Sequence, residues 1–304
     1  MTTSEDEGRV PVQEPGPGAS PEEKLRYRAA EALERGWAFI ERHGDELARL
    51  RARTLLGAEP VEVGLEAVEA VCALDAAPIP LGLARQGAAG LAQFAQADPI
   101  PEWLGALESL IFLSDLDALG APVVARIAHS LTSLQAEDGG FGILSDSESE
   151  RILATGLIAG HLARTRVVRP KVLSDASHFM SNAWAPSLVG GRAWPLVAAF
   201  GCWFSSVGNQ DDLADGALQQ VGRELERGFR QGTYDAAGTV RVLLHCDASA
   251  VPGAGLVPGE LLEALLSEQG EDGGFAELTD GPDALRVMPT FDAMLGTIRL
   301  CGVI

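Results

Sequence analysis

Apolar residues recur at helical spacing along the chain, and they do so in two distinct patterns. In the amphipathic pattern of residues 121–135, apolar side chains follow one another at steps of four, four and three residues, at Val123, Ile127, Leu131 and Leu134. In the second pattern, residues 152–163, 196–207 and, less purely, 238–251 are apolar on nearly every side. A half-polar helix keeps one face in water, whereas a helix that is apolar all round must be enclosed by other helices. The sequence therefore predicts outer and inner helices that alternate.

The first predicted helix has a clear beginning and end. Pro21 opens it, acidic residues occupy its first turn and Gly44 follows its last turn, which is the polarity typical of a helix. The preceding residues are acidic and rich in proline and glycine, and they lack the basic and apolar regions of a signal peptide. We therefore expect a disordered tail over residues 1–21 and a single domain over residues 22–304.

Two near-identical segments connect a predicted outer helix to the next apolar helix. They read QAEDGGF from Gln135 to Phe141 and QGEDGGF from Gln269 to Phe275, and we call them the first and second joints. Two degenerate copies lie between them, so that successive marks at Gly140, Gly191, Thr233 and Gly274 are 51, 42 and 41 residues apart. A repeat of roughly 45 residues that holds two helices predicts stacked helical hairpins.

The residues of each joint suit a tight turn between helices. Paired glycines end a helix by taking the left-handed conformation that a side chain would oppose. The phenylalanine that follows can fold back under the turn and lock the hairpin. The glutamine amide can bridge backbone groups at the ends of neighbouring helices.

The two joints resemble the glutamine-rich repeats of protein prenyltransferase β subunits and of squalene and class II terpene cyclases. The resemblance is clearest from about residue 120 to residue 304. It implies an all-α fold, the α/α toroid, in which inner helices surround a deep apolar cavity and outer helices wrap around them. It does not specify a reaction, because the same scaffold hosts several activities.

The catalytic residues of those families are largely missing. A protein prenyltransferase would carry zinc ligands, including a histidine shortly after a Gly-Gly-Phe joint, but Ala276 follows Phe275 and no histidine opens the last inner helix. A class II cyclase would carry Asp-x-Asp-Asp at the start of an inner helix. The nearest match is residues 245–250, where Asp247 takes the proton donor's position but lies at the end of its helix. Asp247 is therefore a candidate acid, with a C-terminal polar turn as the alternative.

Two further acids lie near the beginnings of predicted inner helices, Glu150 and Asp292. An acid held in an apolar cavity has a raised pKa and can protonate an alkene or a carbonyl group. We therefore take both as candidate catalytic residues. The alternative is that each caps its helix and meets the helix dipole.

Residues 209–216 spell Asp-Asp-x-x-Asp, with Asp211, Asp212 and Asp215. On a helix, the first and last of these could bind Mg²⁺ that bridges a diphosphate. Helix capping is the alternative role for these acids. The sequence contains no second metal-binding motif, although a diphosphate site of this kind would need one. We therefore expect no metal or cofactor, except that a diphosphate substrate could be bound through Mg²⁺.

Aromatic residues are the candidates for substrate binding. Phe200, Trp203 and Phe204 follow one another at helical steps on a predicted inner helix. With Tyr234 and Phe291 they could line a cavity and stabilise a carbocation by cation–π attraction. Ordinary core packing is the alternative, and the same holds for the isolated histidines on apolar helices, His161 and His245.

Composition and charge limit the kinds of molecule that the protein can bind. The chain has 304 residues, of which 46% are hydrophobic, and a net charge of −20. Such a charge repels nucleic acid and anionic lipid, and no apolar stretch reaches the length of a membrane span. The four cysteines form no CxxC pair and indicate buried thiols in a reducing cytoplasm.

Two hypotheses follow from the sequence. In the first, the protein is a cyclase-like enzyme that cyclises or isomerises a small hydrophobic isoprenoid or polyene in its central cavity, started by an acid at the mouth of an inner helix. In the second, it keeps the toroid without catalysis, as a hydrophobic-ligand-binding or scaffold protein. The sequence does not indicate the oligomeric state.

Overall fold

The computed structural model describes residues 14–66, 102–142, 147–207, 212–275 and 282–304. Over these ranges the chain is all-α and contains no strand. The α-helices are α1 (Pro21–His43), α2 (Glu46–Leu55), α3 (Glu102–Asp115), α4 (Val123–Thr132), α5 (Glu148–Ala163), α6 (Pro170–Ala183), α7 (Trp194–Val207), α8 (Asp212–Arg230), α9 (Ala236–His245), α10 (Pro258–Ser267) and α11 (Val287–Cys301). Two short 3₁₀ helices span Pro186–Val189 and Asp283–Arg286. Most of the predicted disordered tail lies outside the described residues.

Burial follows the two hydrophobic patterns of the sequence. Helices α5, α7 and α11 are buried on every side over unbroken runs at residues 152–162, 196–204 and 287–297. By contrast, α6 buries only Ala176 and Met180 and leaves its other positions partly or fully in water. The apolar helices are therefore enclosed by other helices, as their composition predicts. None of the described helices combines the length and the apolar character that crossing a membrane requires.

The buried helices contact one another in chain order. Helix α3 packs on α5, α5 on α7, α7 on α9 and α9 on α11, and α11 also contacts α2. The half-polar helices cover this series from outside, with α4 on α3, α6 on α5, α8 on α7, and α10 on α9 and α11. Helix α1 packs on α11, α10 and α2. From α3 to α10, each hairpin thus pairs one buried helix with one half-exposed helix.

The first joint connects α4 to α5 and also holds α6. The amide nitrogen of Gln135 donates to the carbonyl oxygens of Gly139 and of Val172 in α6, both at 2.9 Å. Gly139 has a φ of 87° and lies so close to the backbone of Asp175 that an added Cβ would overlap its carbonyl group. The glutamine therefore bridges backbone groups, as predicted. The prediction that the paired glycines end the helix is wrong, because α4 already ends at Thr132 and only the first glycine of the pair is left-handed.

The beginning of α5 is attached to this joint by side chains. The carboxylate of Asp138 accepts two hydrogen bonds from the guanidinium group of Arg151, at 2.7 and 2.8 Å. That guanidinium lies 5.0 Å from the centroid of the Phe179 ring in α6. The backbone N–H of Phe141 donates to the hydroxyl of Thr155 at 2.8 Å. The joint, the inner helix and the next outer helix therefore form one bonded unit.

The second joint repeats these contacts, with α1 in the place of α6. The amide nitrogen of Gln269 donates to the carbonyl oxygens of Gly273 and of Ala32 in α1, at 2.9 and 2.8 Å. Gly273 has a φ of 90° and lies against the carbonyl group of Arg35. The N-terminal helix therefore follows the last inner helix as α6 follows α5.

The side-chain contacts of the second joint match as well. Asp272 accepts from Arg286 at 2.6 and 3.1 Å, and the Arg286 guanidinium lies 4.8 Å from the centroid of the Phe39 ring in α1. The hydrogen bonds from Arg286 lower the pKa of Asp272 to about 2. The backbone N–H of Phe275 donates to the hydroxyl of Thr290 at 3.0 Å. The two joints are thus copies of one structural unit.

Gly139→Ala is expected to destabilise the protein more than Gly191→Ala, a matched control. Gly191 has a φ of 70° but an added Cβ there meets nothing within 4 Å, so its substitution brings only the left-handed strain of about 1–2 kcal/mol. At Gly139 the Cβ also overlaps the Asp175 backbone, which adds about 1–3 kcal/mol of overpacking. Urea unfolding followed by circular dichroism measures both. Equal losses would contradict the close contact.

Candidate functional site

Charged side chains are buried between the inner helices. The cluster consists of five residues. Arg51, Glu108, Arg241 and Asp292 are at most 2% exposed, and the side chain of Asp115 is 5% exposed. They come from α2, α3, α9 and α11. Burying a charge is costly unless it is paired or neutralised. Whether each group is paired or neutralised therefore determines which chemistry the cluster can perform.

Two ion pairs account for four of the five groups. The guanidinium group of Arg51 pairs with the carboxylate of Asp115, and Arg241 Nη1 donates to Asp292 Oδ1 at 2.7 Å. The Arg51 guanidinium also lies 3.9 Å from the centroid of the Phe291 ring, a cation–π distance. The positive and negative charges of these four groups therefore cancel within the cluster.

Glu108 is the fifth group, and it is different. Neither of its carboxyl oxygens has a hydrogen-bond partner among the residues that the structure describes. Burial, reinforced by the nearby carboxylates of Asp292 and Asp115, raises the pKa of Glu108 to about 8, against the opposing effect of the positive charges of Arg51 and Arg241. At neutral pH this side chain is therefore an uncharged carboxylic acid, able to donate a proton.

Two buried histidines extend the cluster. His161 Nε2 of α5 lies 3.3 Å from His245 Nδ1 of α9, and Arg241 Nε donates to His245 Nε2 at 3.3 Å. Burial holds the pKa of each imidazole well below its ordinary value, and the positive charges of Arg241 and Arg164 add to the effect. Both rings are therefore neutral at pH 7. Arg241 and His245 are four residues apart on α9, which puts them on the same face of that helix.

Of the three acids predicted from the sequence, the structure brings only Asp292 into this cluster. Asp247 lies on the surface, where its carboxylate pairs with the guanidinium group of Arg299 at 2.7 Å. It comes just after the end of α9 and has a left-handed backbone conformation, with a φ of 50°. Its position agrees with the polar turn that the sequence offered as the alternative.

Glu150 begins α5 as part of a capping box. Its backbone N–H donates to Ser147 Oγ, and its carboxylate accepts from the Ser147 backbone N–H at 2.9 Å. Hydrogen bonds from the Ser147 side chain and backbone lower the pKa of Glu150. The expectation of a raised pKa is therefore wrong for this residue, because the helix N-terminus and its cap stabilise the charged form.

The five candidate substrate-binding aromatics occupy three different settings. Phe200 and Phe204 pack edge-on against Trp184, with ring centroids 4.8 and 5.6 Å apart. Trp203 and Phe204 also line a cleft of about 740 Å³ between α6 and α7. The remaining two, Tyr234 and Phe291, lie elsewhere.

Tyr234 belongs to a degenerate joint, where its hydroxyl donates to the carbonyl oxygen of Gly191 at 3.0 Å. Phe291 lies in the buried cluster, but the guanidinium group of Arg51 occupies a face of its ring. A carbocation at that face would compete with a charge that is already there.

The acidic Asp-Asp-x-x-Asp motif is described only in part. Asp211 lies outside the described residues, Asp212 begins α8, and Asp215 is exposed on the same helix. Within the described ranges, the structure contains no group of three or more histidine, cysteine or acidic residues placed to hold a metal ion.

Sequence reasoning missed Glu108, Arg51 and Arg241. Glu108 and Arg241 are each the single charged residue in an apolar stretch, ALESLIF and TVRVLL, whereas Arg51 lies between Arg49 and Arg53 and shows no such contrast. That local contrast was the available signal. An ionisable residue that interrupts an apolar face must be neutralised in the fold, which makes it a candidate for a functional group.

Comparison with known proteins gives no match: no protein-family model, no curated protein and no solved structure corresponds to this chain. The similarity of the joints to prenyltransferase and cyclase repeats therefore stays an expectation that rests on the motif.

Glu108→Gln is expected to remove a pH dependence from the stability. A carboxyl group whose pKa rises from 4.5 to about 8 on folding contributes stability that is fully present below pH 4.5 and is lost as the pH rises to about 8. The slope is about 1.4 kcal/mol per pH unit. Urea unfolding across this range should show the wild type losing stability relative to the variant. The buried imidazoles affect both proteins alike, so parallel profiles would contradict a raised pKa.

Arg241→Met is expected to cost about 3–5 kcal/mol, because it leaves the buried Asp292 carboxylate without its guanidinium partner. Arg299→Met is the control, since it breaks the exposed pair with Asp247 and should cost at most about 1 kcal/mol. Adding Asp292→Leu to Arg241→Met should recover much of the stability. Equal losses for Arg241→Met and Arg299→Met in thermal unfolding would show that the buried pair has no special role.

Proposed function

We propose that the chain forms a closed α/α toroid whose inner ring consists of α2, α3, α5, α7, α9 and α11. The chain-order contacts of the inner helices support this arrangement. Arg51 of α2 supports closure, because it pairs with Asp115 of α3 and stacks on Phe291 of α11. The second joint supports it independently, since it binds α1 as the first joint binds α6.

We further propose that the protein is an acid–base enzyme that isomerises a hydrophobic substrate, such as an isoprenoid or polyene, in the interior of this ring. The observation that carries the proposal is Glu108. A buried carboxylic acid without a hydrogen-bond partner among the described residues reduces stability, which favours a functional reason for its presence. A general acid works best when its pKa lies near the working pH, and the pKa of Glu108 is about 8.

The surroundings of Glu108 favour isomerisation over cyclisation through a carbocation. The guanidinium groups of Arg51 and Arg241 act on Glu108 electrostatically, and positive charge of this kind opposes a cationic intermediate. The same charge stabilises negative charge that develops on a substrate. Phe291, the aromatic ring predicted to hold a cation, already holds Arg51. Of the two reactions expected from the sequence, proton transfer without a carbocation therefore fits the cluster better.

Glu108 and Asp292 would act as an acid and a base. The Glu108 hydroxyl gives its proton to one end of the substrate's π system, whose electron pair forms the new bond to hydrogen. The Asp292 carboxylate takes a proton from another carbon, and the electron pair of that C–H bond enters the π system. The proton then returns from Asp292 to Glu108. Atoms and electrons balance without a co-reactant, and the unequal environments of the two carboxyl groups suit the two roles.

The second candidate function is a toroid that binds or scaffolds without catalysis. The observation in its favour is the full burial of Phe200, Trp203 and Phe204, of which the two phenylalanines pack against Trp184. Aromatic residues used in this way serve the core rather than a substrate. An activity measurement separates the two candidates.

The test is incubation of the protein with unsaturated isoprenoid ketones and alcohols, squalene and isoprenyl diphosphates, with and without Mg²⁺, followed by product analysis. Glu108→Gln is expected to lower turnover by about 10²–10⁴-fold, because it removes the transferable proton. Asp292→Asn should lower it as well. Glu263 lies on α10 with an exposed side chain, so Glu263→Gln should leave turnover unchanged. Full activity of Glu108→Gln would contradict the proposal. An inactive wild type on the whole panel would favour the binding or scaffold protein.

A further inference from the structure

The first joint contains a cleft between the beginning of α5 and the second half of α6. Its volume is about 570 Å³, and the exposed side chains of Glu148, His178 and Asn182 line it. Pockets that hold small molecules have volumes of roughly 300–1,000 Å³. The cleft therefore has room for a small molecule and is open to solvent.

The second joint provides an equivalent copy of this place. The guanidinium group of Arg286 lies on the ring of Phe39 as that of Arg151 lies on the ring of Phe179, so the two phenylalanines hold equivalent positions. His43 follows Phe39 by one helical turn, and the centroids of their rings are 4.6 Å apart. In the second joint, an imidazole ring therefore contacts the phenylalanine that the arginine also contacts.

The first joint lacks this imidazole. Ala183 follows Phe179 on α6 by four residues, as His43 follows Phe39 on α1. Ala183 lines the cleft with no more than a methyl group. The space that an imidazole occupies in the second joint therefore belongs to the cleft in the first joint.

An acidic residue lies beside this space in both joints. His43 Nδ1 lies 3.6 Å from Asp283 Oδ2, which makes an ion pair when the imidazole is protonated. Asp283 precedes Arg286 by three residues, as Glu148 precedes Arg151. Glu148 lines the cleft and forms no ion pair with any residue that the structure describes. The acid is thus present in the first joint without its cationic partner.

The charges of the cleft favour a cation. Ser147 and Glu150 form the capping box of α5, so Glu148 is not needed as a cap. Asp138 and Arg151, which also line the cleft, pair with each other at 2.7 Å. Among the carboxylates and guanidinium groups of this lining, the carboxylate of Glu148 is therefore the one without an opposite charge. The net charge of −20 attracts cations to the protein as well.

We propose that this cleft binds a small polar molecule with a flat cationic head, such as a guanidinium, amidinium or imidazolium group. The head contacts the ring of Phe179 and pairs with Glu148, in the place that the imidazole takes in the second joint. The rest of the molecule meets the polar part of the lining, where Asn182 and His178 are hydrogen-bonded at 3.0 Å. None of the lining residues belongs to the buried cluster, so this site is independent of the proposed function.

Binding is tested by NMR titration of the full chain with methylguanidinium and with methylurea. Methylurea has a similar flat shape but no charge, whereas a guanidinium group stays protonated at neutral pH. Methylguanidinium should shift the backbone signals of the first joint and of the second half of α6, and methylurea should bind more weakly. No shift with methylguanidinium, or equal binding of the two probes, would overturn the proposal.

Two substitutions of Ala183 provide a matched comparison. Ala183→His supplies the imidazole from the chain itself and should abolish binding of methylguanidinium at the first joint. Ala183→Ser leaves the space open and should retain it. Glu148→Gln should weaken binding about threefold, the effect of one exposed ion pair. Undiminished binding in Ala183→His and Glu148→Gln would show that the probe lies elsewhere and would overturn the proposal.

The reverse substitution tests the equivalence of the two joints. His43→Ala removes the imidazole from the second joint and should create a second site there, at which methylguanidinium shifts the signals of α1 around Phe39. The wild type should show shifts at the first joint alone. A His43→Ala variant that gains no second site would show that the imidazole does not mark a cation site, which would contradict the proposal.

Discussion

A contact between a glycine and a backbone carbonyl group determines how one hairpin meets the next. Gly139 and Gly273 take left-handed conformations directly against the backbone of Asp175 and Arg35, where a side chain would not fit. The glutamine amide of each joint then connects the turn to the same outer helix. The close packing of each joint on the next outer helix therefore requires a glycine at this position.

The same joint positions the buried cluster. In the second joint, Asp272 pairs with Arg286 and the Phe275 backbone donates to Thr290, which attaches the first turn of α11 to the turn before it. Asp292 follows two residues after Thr290 and pairs with Arg241 of α9. Burial of charge is tolerated here because the helices hold each partner in place, so that pairing offsets desolvation. Where no partner is supplied, as at Glu108, the group becomes neutral instead.

Periodicity predicted the helices well and the chemistry poorly, for a physical reason. Whether a helix is surrounded or half-exposed follows from its own composition, and the joints are encoded in a few adjacent residues, so both could be inferred from the sequence. Glu150 could also have been assigned as a cap, because Ser147 and Glu150 have the spacing of a capping box. The partners in the cluster are different. Arg241 and Asp292 are 51 residues apart, and their contact depends on which helices pack together.

The proposed acid–base chemistry depends on the protonation of Glu108 in the folded protein. Carbon NMR of the glutamate carboxyl groups, with Glu108→Gln identifying the signal, follows that protonation across the pH range. We expect a carboxyl group that is uncharged at neutral pH and titrates near pH 8. A signal that titrates near the ordinary value of 4.5 would show a charged side chain in contact with water and would contradict a buried acid at the centre of the fold.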